Sequence, residues 1–140
     1  DGCQKSYSRQ RYQGMNEEEK GKYKKLVKIR VEKSIEHRIK NAVCNSLARA
    51  SKKGLNCDID YEYIAEIYNQ QEGKCFYSGE ELTLSGSTVL SIDRLDSFGG
   101  YTKDNVVLCT WAVNTMKNSF TQDEFINLCG RIWNKANERK

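Results

Sequence analysis

The stretch SIDRLDSFGGYTKDNVVLCTWAVNTMKN, from Ser91 to Asn118, holds the residues best suited to chemistry. Asp93 closes one apolar run and Arg94 follows it directly. Asn105 opens a second apolar run, and Asn114 falls in a segment that reads as a helix. If Asp93 and Asn114 converge, they offer one carboxylate and one amide oxygen. That sparse set suits a hard cation that keeps waters and accepts substrate phosphate oxygens, and Mg²⁺ fits the description. Asn105 is placed to hydrogen-bond the intervening loop and fix the strand end that carries Asp93. Read from the residues alone, an Asp at a strand end and two Asn residues are also ordinary turn chemistry, and both readings stand.

Convergence requires a particular order of elements. TVLSIDRL reads as a strand, DSFGGYTKD as a loop, NVVLC as a second strand and TWAVNTMKN as a helix. Thr121 with Glu124 then opens a last helix, QDEFINLCGRIWNKAN, through a capping box. Upstream, Asp60 caps a shorter helix, YEYIAEIYNQQ, which ends near Gly73 and leads into a tight knuckle, GKCFYSGEEL. Further back, NEEEKGKYKK has a helix start: Asn16 as N-cap, Glu19 three residues on, and Glu17 and Glu18 at the positive dipole end. Val27, Val31, Ile35, Ile39, Val43, Leu47 and Ala50 recur at three and four, one helical stripe predicted to pack on the core. Arg30, Lys33, His37 and Lys40 form a second stripe, continued by Arg49, Lys52 and Lys53, and Gly54 is expected to stop the helix. DGCQKSYSRQRYQGM has no periodicity and is expected to be a flexible basic tail. The order of helices and strands predicts an α+β fold.

At 140 residues the chain can bury one modest core. It has no apolar run of spanning length and no secretory start, so a cytoplasmic site without membrane contact is expected. Residues 1–58 carry a net charge of +8 and residues 59–140 of −4. That asymmetry fits either a polyanion-binding arm joined to a cation site or a well-solvated charged helix. The six cysteines form no C-x-x-C pair, so reduced, mostly buried thiols are expected.

GKCFYSGEEL followed by SIDRLDSFGGYTKDNVVLCTWAVNTMKN resembles the HNH (ββα-metal) nuclease family, in its phage type. The upstream NSLARASKKGLNCDIDYEYIAEIYNQQEGKC is similar to the lead-in of such enzymes, and together they cover roughly residues 40 to 130. The resemblance implies a finger of β-hairpin, loop and helix holding one divalent ion, Mg²⁺ or another such as Mn²⁺. It makes Asp93 the strand ligand, Asn105 the central Asn of the motif and Asn114 the helix ligand. It implies hydrolysis of phosphodiester bonds in double-stranded DNA, in a bacterium or a phage-infected host cell. Residues 1–56 would be a DNA-binding arm that uses Arg30, Lys33, His37, Lys40, Arg49, Lys52 and Lys53 on phosphates, and residues 57–140 the nuclease domain. A homodimer would cut both strands, and a monomer would nick.

Two departures from the family pattern matter. Many members carry a structural zinc on two C-x-x-C pairs. Here the corresponding positions are Cys75 with Ser78 and, around the second pair, Thr110 and Val113, so structural zinc is not expected. Trp111, Phe76 and the aliphatics are expected to fill that core instead. Arg94 stands where most members have the His that activates water. A guanidinium stays protonated and is no ordinary base, but it can clamp the scissile phosphate. Water activation then falls to Tyr77, whose other reading is core packing or phosphate contact, or to the cation without a protein base. His37, the single histidine, lies far away on the basic helix face. The missing His also leaves open a DNA-binding or interaction module with a silent HNH fold.

Overall fold

Asn16 opens the long helix through a reciprocal cap. Its Oδ1 accepts from the Glu19 amide at 2.9 Å, and Glu19 Oε2 accepts from the Asn16 amide at 3.0 Å. The computed structural model describes residues 12–138, so the basic tail lies up to residue 11 outside the described residues. The helix, α1, runs Glu17–Lys53 and stops at Gly54, whose φ of +64° suits glycine. It is followed by α2 (Tyr61–Gln70), β1 (Leu90–Arg94), β2 (Val106–Thr110), α3 (Trp111–Lys117) and α4 (Gln122–Asn137). The fold is α+β, with one two-stranded antiparallel sheet among the described residues.

The chain divides into two units between Ile35 and Glu36, inside α1 rather than at its C-terminal end. In the first unit Val27 and Val31 are exposed, so the expected core stripe is not a core there. In the second unit Ile39, Ala42, Val43, Ser46 and Ala50 are buried. Leu47 belongs to the predicted stripe but lies about 80° round the helix from Ile39, and it is exposed. Ser46 sits nearer the centre of the buried face and takes that place. Arg38 fastens the helix to the hairpin, its Nε donating to the Leu90 carbonyl at 3.0 Å.

Asp60 caps α2 by accepting from the Tyr63 amide at 2.7 Å, and Ile64 and Ile67 face the core. The knuckle then seats on β2. Gln71 Nε2 donates to the Leu108 carbonyl at 2.8 Å while its Oε1 accepts from the Leu108 amide at 3.0 Å. The Phe76 amide adds a bond to the Leu108 carbonyl at 2.9 Å. In the hairpin Asp93 pairs with Val107 and Ser91 with Cys109. Every residue of β2 is buried, which accounts for its continuous apolar run. Thr110 caps α3, and Thr121 with Glu124 forms the capping box of α4, which buries Phe125.

Trp111 and Phe76 do not fill the core as expected; they are 53% and 48% exposed. Trp111 is the first residue of its helix and turns outward, while Phe76 packs edge-on against Tyr77 at 5.1 Å between ring centres. Cys75, Leu82, Leu90, Leu108 and Cys109 are buried instead. Among the described residues no helix is long and apolar enough to cross a membrane.

Candidate functional site

β1 ends on Asp93 and Arg94, and the loop that follows is held in one shape by a single side chain. Asn105 Oδ1 accepts from the Asp96 amide at 2.8 Å, and its Nδ2 donates to the carbonyls of Asp96 at 3.0 Å and Gly100 at 2.8 Å. Both glycines of the loop are required by close approach. A Cβ on Gly99 would lie 2.8 Å from Asn105 Nδ2, and one on Gly100 would collide with the Asn56 carbonyl. Arg94 is anchored to the same loop. Its Nη1 donates to the Gly99 carbonyl at 2.6 Å, and its guanidinium lies over the Tyr101 ring at 4.9 Å. Stacked and held at one corner, it has its other N–H groups available to an anion.

Asn114 is oriented by its amide nitrogen. Nδ2 donates to Ser91 Oγ at 2.7 Å and to the Ile92 carbonyl at 3.1 Å. A carbonyl only accepts, so the nitrogen must face β1, and Oδ1 is left as a lone-pair donor. No protein donor reaches it among the described residues. Asp93 is 4% exposed and its carboxylate is gripped twice. Tyr77 donates to Oδ2 at 2.8 Å, and the buried Lys117 ammonium lies 3.3 Å from the same oxygen. Lys117 also donates to the Arg94 carbonyl at 2.7 Å and to Ser97 Oγ at 3.1 Å, tying β1, the loop and α3 together.

Burial, followed by the bond to Asp93 and that carboxylate's charge, pushes the Tyr77 hydroxyl far above its ordinary range. The lowering that a proton acceptor needs is therefore not what its surroundings produce. Tyr77 is a donor to Asp93, packed edge-on against Phe125 at 5.8 Å between ring centres.

A cleft of about 700 Å³ opens over these groups. Asp93, Arg94 and Asn114 line it together with Arg49, Lys52 and Lys53 from the end of α1. The two sets, about forty residues apart in sequence, thus meet in one place. Tyr101, Ser97 and Asn118 complete the polar wall. Asn105 stands behind the cleft as a brace. His37 and Lys40 are exposed on α1 and do not line it, and Lys40 lies over the Tyr61 ring at 5.0 Å. Arg30 and Lys33 are exposed in the first unit.

The donor set allows a test of which metals fit. Among the described residues no group of three or more His, Cys, Asp or Glu side chains is arranged to cage an ion. One carboxylate and the free amide oxygen of Asn114 fit a hard cation that keeps most of its water and takes phosphate oxygens. In the knuckle Cys75 is the single thiol at the four positions named above. Burial acts to raise that thiol, but hydrogen bonds from the Ser78 side chain and from the backbone of Ser78, Thr110 and Tyr77 leave it below its ordinary value.

Sequence reasoning overlooked Lys117. A signal was present, because it follows Asn114 by three residues and so shares its helix face. Nothing local shows that it is buried. Tyr101 was also overlooked, as an aromatic in a glycine loop has no spacing that reveals its partner.

No family model matches this chain, and no solved structure matches it. Over 91 residues it is 32% identical to an uncharacterized 29.0 kDa protein in the dda-modA intergenic region of Enterobacteria phage T4. The shared stretch covers 64% of this chain and 36% of that relative, so the chain spans little more than a third of the phage protein's length.

Proposed function

We propose that the chain is a metal-dependent DNA endonuclease of the HNH (ββα-metal) type, acting on phosphodiester bonds of double-stranded DNA. One observation carries the reading. The carboxylate of Asp93, the free Oδ1 of Asn114 and the anchored guanidinium of Arg94 share a cleft with Arg49, Lys52 and Lys53. The antiparallel hairpin β1–β2 followed directly by α3 supports reading this segment as a ββα finger. In this reading the basic side chains at the end of α1 track the backbone by phosphate contacts and lead the scissile group to the finger. Arg94 holds two oxygens of that group and stabilises the charge that grows on it in the transition state. Asp93 and Asn114 position the cation, Mg²⁺ or Mn²⁺. When bound it supplies Lewis acidity toward a phosphate oxygen and toward water. Tyr77 orients Asp93 and takes no proton. A relative encoded by a phage accords with action on DNA inside an infected bacterium.

Cleavage of supercoiled plasmid tests the reading. Cutting should require Mg²⁺ or Mn²⁺ and stop with a chelator. Arg94→Lys keeps the charge but loses the fork and the stack on Tyr101, so it should slow cutting by on the order of 10²–10³ with duplex affinity nearly unchanged. Nicked circles as the sole product indicate a monomer, and linear product without a nicked intermediate indicates a homodimer.

A second reading, a DNA-binding module with a silent site, is favoured by one feature. No histidine lines the cleft, and Tyr77, which does not line it either, donates its hydroxyl to Asp93 from behind. Duplex binding without cleavage under any divalent cation would establish it. Cutting of RNA in preference to duplex DNA would change the substrate and keep the site.

A further inference from the structure

Lys117 is fully buried, and an ammonium group in such a place must be compensated. Its partner is the carboxylate read above as a cation ligand, 3.3 Å away. Asp93 therefore already has a fixed cation at its side, held in place by the Arg94 carbonyl and Ser97. Among the described residues Asp93 is the one acidic residue lining the cleft, against the positive charges of Arg49, Lys52, Lys53 and Arg94. With Lys117 behind it, the carboxylate's charge is cancelled and the cleft as a whole is positive. A divalent cation arriving alone is repelled by that field and meets a ligand whose charge is already balanced. Phosphate groups reverse the sign of the field and add oxygen ligands of their own.

We infer that Lys117 makes cation binding conditional on the nucleic acid. By itself the cleft takes a divalent cation weakly, and with duplex phosphates present it takes the cation tightly. The inference rests on the nuclease reading of the same site. Lys117 acts through Asp93 and touches no substrate, so it is a positioning residue. Linkage makes the coupling reciprocal: the cation must raise duplex affinity by the same factor by which the duplex raises cation affinity.

Counting free Mn²⁺ by electron spin resonance tests this on the whole chain. The titration is run with and without a short DNA duplex, and the Asp93→Asn protein with the same duplex is subtracted as baseline. The expected result is Mn²⁺ affinity higher by on the order of tenfold or more with duplex. Lys117→Met keeps the buried stem and removes the charge. It should bind Mn²⁺ more tightly than the parent in the absence of DNA and show a smaller dependence on it. Equal parent affinities with and without duplex overturn the inference, as does a folded Lys117→Met protein whose DNA-free affinity is unchanged. If Lys117→Met does not fold, Lys117→Gln, which removes the charge and keeps a polar tip for the Arg94 carbonyl and Ser97, takes its place with the same expected and overturning results. A parent that cuts plasmid but binds Mn²⁺ independently of DNA overturns this inference and leaves the nuclease reading intact. A parent that retains no duplex overturns both.

Discussion

The centre around Asp93 and the knuckle around Cys75 each place a polar side chain in the core beside the same hairpin, and they satisfy it differently. Cys75 is buried in a tight turn whose own backbone bonds close around it, from the Cys75 amide to the Glu80 carbonyl at 2.8 Å and from the Gly79 amide to the Cys75 carbonyl at 2.9 Å. No charged partner is needed, and the surrounding turn supplies the bonds. Asp93 has a buried ammonium, a phenol and two strands of backbone organised around it. A buried ion pair contributes little net stability, because desolvating two charges offsets most of their attraction. Four elements that converge on such a pair are therefore better explained by what the carboxylate does than by what it adds to stability. The knuckle, by contrast, reads as ordinary core with a thiol in it.

The largest expected effect separates the two regions directly. Asp93→Ala leaves the Lys117 ammonium buried and unpaired and should cost about 3–5 kcal/mol. The double variant Asp93→Leu with Lys117→Met removes both charges and should regain most of that loss while remaining inactive. Urea denaturation of the three proteins measures both. If Asp93→Ala costs no more than a change in the knuckle, the distinction between the regions is lost.

Tyr77→Phe comes next. It removes one hydrogen bond to a charged acceptor and should cost about 1.5–3 kcal/mol, with the ring still packed on Phe125. It also carries a pH signature. The hydroxyl is raised from an ordinary value of 10.0, so the folded chain keeps a proton that the unfolded chain loses above that pH. The contribution is complete below about pH 10 and falls as the pH climbs beyond it. Stability of the parent should therefore decline more steeply than that of Tyr77→Phe between about pH 9.5 and 11, read from denaturant midpoints. Parallel curves would show that Tyr77 does not hold Asp93.

The smallest effect belongs to the knuckle. Cys75→Ala should cost about 1 kcal/mol and leave plasmid cutting and its cation requirement unchanged. Loss of cutting at intact fold would mean that the knuckle serves the site, and would merge the two regions.

Much of this architecture is local and was legible in the chain. Asn16 with Glu19, Asp60, and Thr121 with Glu124 cap helices where their spacing predicted, because a cap joins residues three apart and depends on nothing distant. The glycine loop and its brace at Asn105 follow for the same reason: five to nine residues separate the partners. Other features depended on what each side chain meets across the fold. Periodicity marked the apolar stripe of α1 but not where it ends, so Val27, Val31 and Leu47 are exposed while Ser46 is buried. Trp111 and Phe76 have core composition and lie at the surface. Of the α1 residues expected on phosphates, Arg49, Lys52 and Lys53 share the cleft with Asp93, while His37 and Lys40 of the same unit do not line it, a division that side-chain type cannot reveal. The bond from Tyr77 to the Asp93 carboxylate joins residues 16 apart, and no spacing in the chain announces it. Lys117 is the sharpest case. Its position three residues after Asn114 put it on the right helix face, but only tertiary packing turned an ordinary surface residue type into a buried counter-ion, because burial is a property of everything packed around a side chain.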